Sequence, residues 1–143
     1  MSEFWDWAVA AYARPGVAEA CLDLQDSYGQ NVPLLLWAVW RGGDVGDAVD
    51  LATLWESEVI GHLRHARRNL KRFGGYEALR ERIKADELDA ERTLMTALEG
   101  VMPAPEAPAE ARLRAVVARW GGDVPQAALT RLLAALGDSV TTR

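Results

Sequence analysis

The amino-acid sequence predicts an all-α fold, a single compact helical domain around a central apolar helix, and three observations carry that reading. Val32 to Trp40 is apolar on every side, a pattern that suits a helix surrounded by others. Ala and Leu abound while β-branched residues are few, the usage of helices rather than strands. Gly42-Gly43, Gly74-Gly75 and Gly121-Gly122 punctuate stretches in which apolar residues recur at helical spacing.

Taken in order, Ser2 is placed to cap a first helix reaching about Tyr12. Arg14-Pro15-Gly16 breaks it, with Pro15 suited to the first turn of the next helix. That second helix runs to Tyr28 on Val17, Cys21, Leu24 and Tyr28, and Gly29 supplies a left-handed stop. Asn31 caps the third helix, whose first turn tolerates Pro33 and whose Leu34 to Trp40 leave no polar side. Asp44 or Asp47 opens a long fourth helix ending at Phe73. Its expected buried seam is Ala48, Ala52, Trp55, Val59, Leu63, Ala66, Leu70 and Phe73, and Gly61 is a point where it can bend.

After Gly74-Gly75 a helix from Tyr76 to about Glu99 carries Tyr76, Leu79, Ile83, Ala90, Leu94 and Leu98 on one side. The two long helices are expected to pair as an antiparallel hairpin. Met102 to Pro108 is a Pro-rich spacer, followed by a small hairpin of helices at about Glu110 to Trp120 and Val124 to Leu136. The expected organisation is thus a main helical unit over 1–101, the spacer over 102–108 and the terminal hairpin over 109–143. The stretches at Trp40 and Arg119, WRGGDVGDAV and RWGGDVPQAAL, are alike only through the turn, and read as one turn chemistry used twice rather than a duplication.

Composition narrows the functional classes. A net charge of -5 over 143 residues argues against a chain that coats nucleic acid, while leaving room for a local basic patch. Glu3 and Asp6 stand among aromatics where a secretory leader would carry basic and then apolar residues, so a cytoplasmic location is expected. The longest apolar run, Val32 to Trp40, is about half a bilayer span, so no membrane role is expected. The lone Cys21 lies on the apolar side of its helix and reads as a small core residue in a reducing compartment.

Several blocks stand out together: Phe4-Trp5-x-Trp7, Tyr12-Ala13-Arg14-Pro15-Gly16-Val17, Cys21-Leu22-x-Leu24-Gln25-Asp26, Gly29-x-Asn31-Val32 and Leu34-Leu35-Leu36. Arg64-x-x-Arg67-Arg68-x-Leu70-Lys71 and Lys84-x-x-Glu87-x-x-x-Glu91-Arg92 follow. In this order they resemble a bacterial family of short proteins classed as a domain of unknown function, over about Phe4 to Glu99. The resemblance implies no activity, and its pattern does not call for histidine at position 62 or 65. The spacer and terminal hairpin lie outside it.

Four constellations are candidates for function. Arg64, Arg68, Lys71 and Arg72 point away from the expected seam and form an outward basic stripe for an anionic partner, although no aromatics interleave it as nucleic-acid binding would require. Asp86 and Glu87 fall near the apolar side of the next helix, where a carboxylate needs a partner. Arg67, beside the seam, is expected to reach Glu87 or Glu91 as a partly buried ion pair fixing the hairpin register. Glu58, His62 and His65 share one flank at spacings suited to zinc or iron, but few facing residues could complete a site, so no metal and no cofactor is expected. Tyr12, Arg14, Gln25, Asp26 and Asn31 cluster around the start of the third helix, where they either line a polar pocket or brace loops.

The remaining chemistry is thin. Asp44, Asp47, Asp50, Asp23 and Asp26 are explained as caps and surface positions better than as a diphosphate-metal cluster. No nucleophile elbow, phosphate loop or dinucleotide fingerprint occurs. Trp5 and Trp7 fall on roughly opposite faces, leaving one for a partner. The expectation is a non-catalytic interaction or regulatory protein with a protein partner, self-association as a dimer included. The alternative is a small-molecule binder or enzyme using the polar pocket.

Overall fold

The computed structural model describes residues 2–141, with side chains described over 2–137. Residues 142 and 143 of the expected terminal hairpin lie outside the described residues. The described chain is all α, in the order α1 (Glu3–Tyr12), α2 (Val17–Tyr28), α3 (Val32–Trp40), α4 (Val45–Trp55), a π-helical turn (Glu56–Ile60), α5 (Gly61–Phe73), α6 (Glu77–Glu99), α7 (Ala109–Trp120) and α8 (Gln126–Thr141). Because α4, the π turn and α5 follow one another without a break, they make a single long rod.

The helix ends follow from local chemistry. Ser2 Oγ accepts from the Trp5 N–H, Asn31 Oδ1 from Leu34 and Asp44 Oδ1 from Asp47, so three helices have one of their orphan amide donors satisfied by a side chain. Gly29 ends α2 at φ 64°, a left-handed conformation that an L side chain resists. Pro15 stays in the turn before α2, which begins at Val17, and α8 begins at Gln126, two residues later than expected.

All nine residues of α3 are buried. Helices α1, α2, α4, α6, α7 and α8 all pack against it, the closest association being with α7. Phe4 stacks on Trp40 with ring centroids 5.0 Å apart, and Leu24, Leu34, Leu94, Leu98, Leu113 and Leu132 are fully buried in the same core as Trp37. Cys21 is buried among them, and burial pushes its thiol up to about 12, so it is a core side chain. No helix among the described residues is long and apolar enough to cross a membrane.

The terminal hairpin is docked. The Arg112 guanidinium donates from Nε to the Ala38 carbonyl and from Nη2 to the Val39 carbonyl, each at 2.7 Å, and also to the Ala107 carbonyl. It thereby satisfies carbonyls at the C-terminal end of α3 that have no partner within the helix. Trp120 Nε1 donates to the Gly29 carbonyl and Gln30 Nε2 to that of Gly121, joining the last turn of α7 to the α2–α3 turn. The spacer is laced to the α3–α4 turn by Asp44 N–H to the Met102 carbonyl and Arg41 Nη2 to the Val101 carbonyl.

The long rod departs from the expected seam. Val59 is only half-buried and Ile60 is fully buried, because the π turn inserts one extra residue and advances the helical phase. Past that turn the inward positions include Arg64 and Arg67 beside the expected Leu63 and Ala66, while Phe73 is exposed. Gly61 is what admits the extra residue. A Cβ there would lie 2.6 Å from the Glu56 carbonyl oxygen, to which the Gly61 N–H bonds.

Candidate functional site

Helix α5 has no fully buried residue and packs chiefly on α6, so the two form an arm that leaves the body beyond the π turn. The root of this arm holds a chain of charges. Arg64 Nη1 lies 2.9 Å from Glu56 Oε2, and Arg64 Nε lies 3.3 Å from Glu87 Oε2, near enough for an ion pair but not aligned for a hydrogen bond. Arg67 Nε donates to Glu87 Oε1 at 2.6 Å, with Nη2 at 3.4 Å from Oε2, an approximately bidentate contact on a carboxylate that is only 6% exposed. Asn31 ties the network to α3: its Oδ1 caps the helix while Nδ2 donates to Glu56 Oε1 at 3.2 Å.

Glu91, one turn along α6 from Glu87, is half-buried and has no ion pair within 4 Å among the described residues. Burial and the neighbouring Glu87 charge push its carboxyl up to about 7, against the opposing pull of Arg64. Arg67 is held charged by its hydrogen bond to Glu87. Tyr12 faces the same region, and burial raises its phenol to about 12, the charge of Glu91 adding to the effect.

These groups border a cleft of about 810 Å³ between α1, α2 and α6, floored by Val32 and Leu36 of α3. Trp5, Val9, Tyr12, Leu22, Leu88 and Met95 supply apolar walls, and Gln25, Arg67, Glu87 and Glu91 the polar ones. Sequence reasoning missed Val9, Leu22 and Leu88 as a group, since each sits on the solvent flank of its own helix. The signal available was that all three are large apolar residues outside every helical seam.

The structure places the expected residues in several different settings. Tyr12 and Gln25 line the cleft, whereas Arg14, Asp26 and Asn31 do not. Arg14 Nε instead reaches the Ala135 carbonyl at 3.4 Å and braces α8, because α2 carries α8 rather than a cavity on that side. Asp26 forms an exposed ion pair with Arg68, and Gln25 Nε2 lies 3.4 Å from Asp26 Oδ1.

Nor is the basic stripe continuous. Arg64 turns inward to Glu56 and Glu87 through the phase shift at the π turn, and Arg68 is drawn to α2, which leaves Lys71 and Arg72 exposed toward the arm's tip. Asp86 is exposed while Glu87 is buried. Glu58, His62 and His65 face solvent, His65 Nε2 meeting Asn69 Nδ2 at 3.0 Å, and no facing helix brings them a further ligand. Among the described residues no group of three or more His, Cys, Asp or Glu is arranged to hold a metal ion. Trp5 and Trp7 are both half-buried, Trp5 beneath the Arg92 guanidinium at 4.9 Å and Trp7 against Phe4, so neither is left bare.

No curated protein and no solved structure matches the chain. A family model described as a protein of unknown function, DUF2390, matches residues 3–98, which span the cleft, the arm and the charge network. With the greater part of its length covered by that model, the chain belongs to this family.

Proposed function

We propose that the protein is a non-catalytic interaction module of the cytoplasm whose helical arm engages an acidic protein surface through its tip. One observation carries the reading: Phe73, Tyr76 and Leu79 gather where α5 turns into α6, exposed by 67%, 55% and 40%. Single exposed apolar side chains are ordinary, but three at one protruding turn form a patch that folding leaves uncovered. Charge surrounds it asymmetrically. Lys71, Arg72, Arg80, Arg82 and Lys84 face only Glu77 and Glu81 within 71–84, a net +3 inside a chain of net -5. Such a field steers a carboxylate-rimmed partner toward the tip, where aromatic anchors supply the affinity.

The test starts from a photo-crosslinking residue at position 76 in growing cells, followed by identification of the captured protein and titration with it in purified form. Saturable binding that weakens at least tenfold in Phe73→Ser/Tyr76→Ser and in Lys71→Glu/Arg72→Glu, and with rising salt, supports the reading. Cross-links confined to RNA or to other copies of this chain, or an affinity indifferent to both double variants, overturn it.

A further inference from the structure

Four exposed large apolar side chains, Val9, Tyr12, Leu22 and Leu88, converge from three helices on the rim of the same cleft. The floor beneath them is core surface, Val32 and Leu36, and the inner wall carries the Glu91 carboxyl. We propose that this cleft is a binding site for an amphipathic amine, its ammonium group against Glu91 and its hydrocarbon body along Leu22, Leu36 and Met95. The site is separate from the aromatic patch at the arm's tip and shares with the charges around that patch only Glu81 and Lys84 at its mouth.

Charge decides the sign of the ligand. Around Glu91 stand Glu56 from the π turn, Arg64 and Arg67 from α5, and Glu87 on its own helix, with Tyr12 facing from α1. Two guanidinium groups therefore serve three carboxylates, and both are already engaged by Glu56 and Glu87. At the mouth Glu81 lies 4.0 Å from Arg80, and Lys84 is exposed on the cleft's edge. A carboxylate ligand would meet Glu87 and Glu91 at the inner wall, where Arg67 is already bonded to Glu87. An ammonium group would instead neutralise the carboxyl that lacks a counter-charge, and the apolar walls would cover a hydrocarbon chain. With Glu91 held up to about 7 in the free protein, acidification discharges it, so amine binding weakens as pH falls from 8 to 6.

Titration calorimetry of the full chain with n-octylamine, octanoate and octan-1-ol tests this. The expected result is saturable octylamine binding at one site, at least tenfold tighter than octanoate or octanol, and about tenfold weaker at pH 6 than at pH 8 as the ionised fraction of Glu91 drops. Glu91→Gln, which keeps the helix and relieves a buried charge, should bring octylamine to the octanol level while octanol binding is retained. Three outcomes overturn the proposal: no saturable octylamine binding at millimolar concentration, octanoate binding as tightly as octylamine, or octylamine binding unchanged in Glu91→Gln. Loss of partner binding at the tip would not touch it, since the variants there leave the cleft intact.

Discussion

Arg112 and Ala38, 74 positions apart, are joined by a 2.7 Å hydrogen bond from the guanidinium to a helix-terminal carbonyl. The same side chain also bonds Val39, so one residue of α7 closes the end of the central helix. Replacing it with Met keeps the aliphatic stem but strands those carbonyls, at a cost of about 3 kcal/mol. Arg112→Lys should recover only part of that, because an ammonium group cannot span two adjacent carbonyls in a fixed fork. Urea unfolding of both variants checks it, and a loss below about 0.5 kcal/mol for the Met variant would remove this contact from the account of tail docking.

The Arg67 and Glu87 pair is half-sheltered, which sets its value between an exposed bridge and a buried one. Arg67→Ala should cost about 2 kcal/mol, less than a fully buried pair, because Arg64 remains 3.3 Å from the carboxylate. A double-mutant cycle with Glu87→Ala is expected to return a coupling of about 1–2 kcal/mol. Strictly additive losses would mean that the two residues stabilise the arm independently.

Glu91 imposes a pH slope of unusual sign. Its folded carboxyl sits near 7 against an ordinary 4.5, so between those values the native state binds more protons than the unfolded state. Stability therefore declines as pH rises from about 4.5 to 7, by up to about 3 kcal/mol from this group. Glu99 acts oppositely at lower pH. The Ser2 hydroxyl holds its carboxylate below the usual range, so that contribution is present above about 4.5 and is lost as pH falls through the lowered value. Glu91→Gln should raise stability by about 2 kcal/mol at pH 8 and flatten the slope between pH 5 and 7, as read by thermal melts across pH. A wild-type curve rising over that window contradicts the assignment.

Gly61 offers a test in which two effects compete. In a regular helix Gly→Ala gains about 1 kcal/mol. Here the new methyl would press on the Glu56 carbonyl oxygen at 2.6 Å and on Glu56 Oε2 at 3.2 Å, and crowding of that kind costs about 1–3 kcal/mol. The expected balance is a net loss of about 1 kcal/mol, with Arg64→Ala costing less in the Gly61→Ala background than alone. A stabilised Gly61→Ala protein would show that the rod reverts to regular helix without penalty.

Much of the architecture was legible because hydrophobic periodicity reports burial directly. Nine consecutive apolar residues at α3 leave no solvent face, and Asn31 and Asp44 announce helix starts by residue type alone. Glu87 stood out as a carboxylate on the apolar side of α6, where burial demands a cation. The π turn left no such mark. A pattern assuming 3.6 residues per turn carries its phase straight through Glu56–Ile60, so it sends Arg64 outward and keeps Phe73 in the seam. Contacts that depend on tertiary docking, such as Arg112 on α3 or Arg14 on α8, have no local signature at all. The cleft escaped for a related reason: its rim joins residues from separate helices whose own periods label them solvent-facing.

The close packing of α7 on α3 also orders events during synthesis. Until Ala109–Trp120 leaves the ribosome, the nascent chain carries its greasiest segment with one side uncovered. Completion of the native state must therefore wait until residues 109–120 have been made, and a chain halted after residue 101 would expose surface that invites chaperones and aggregation.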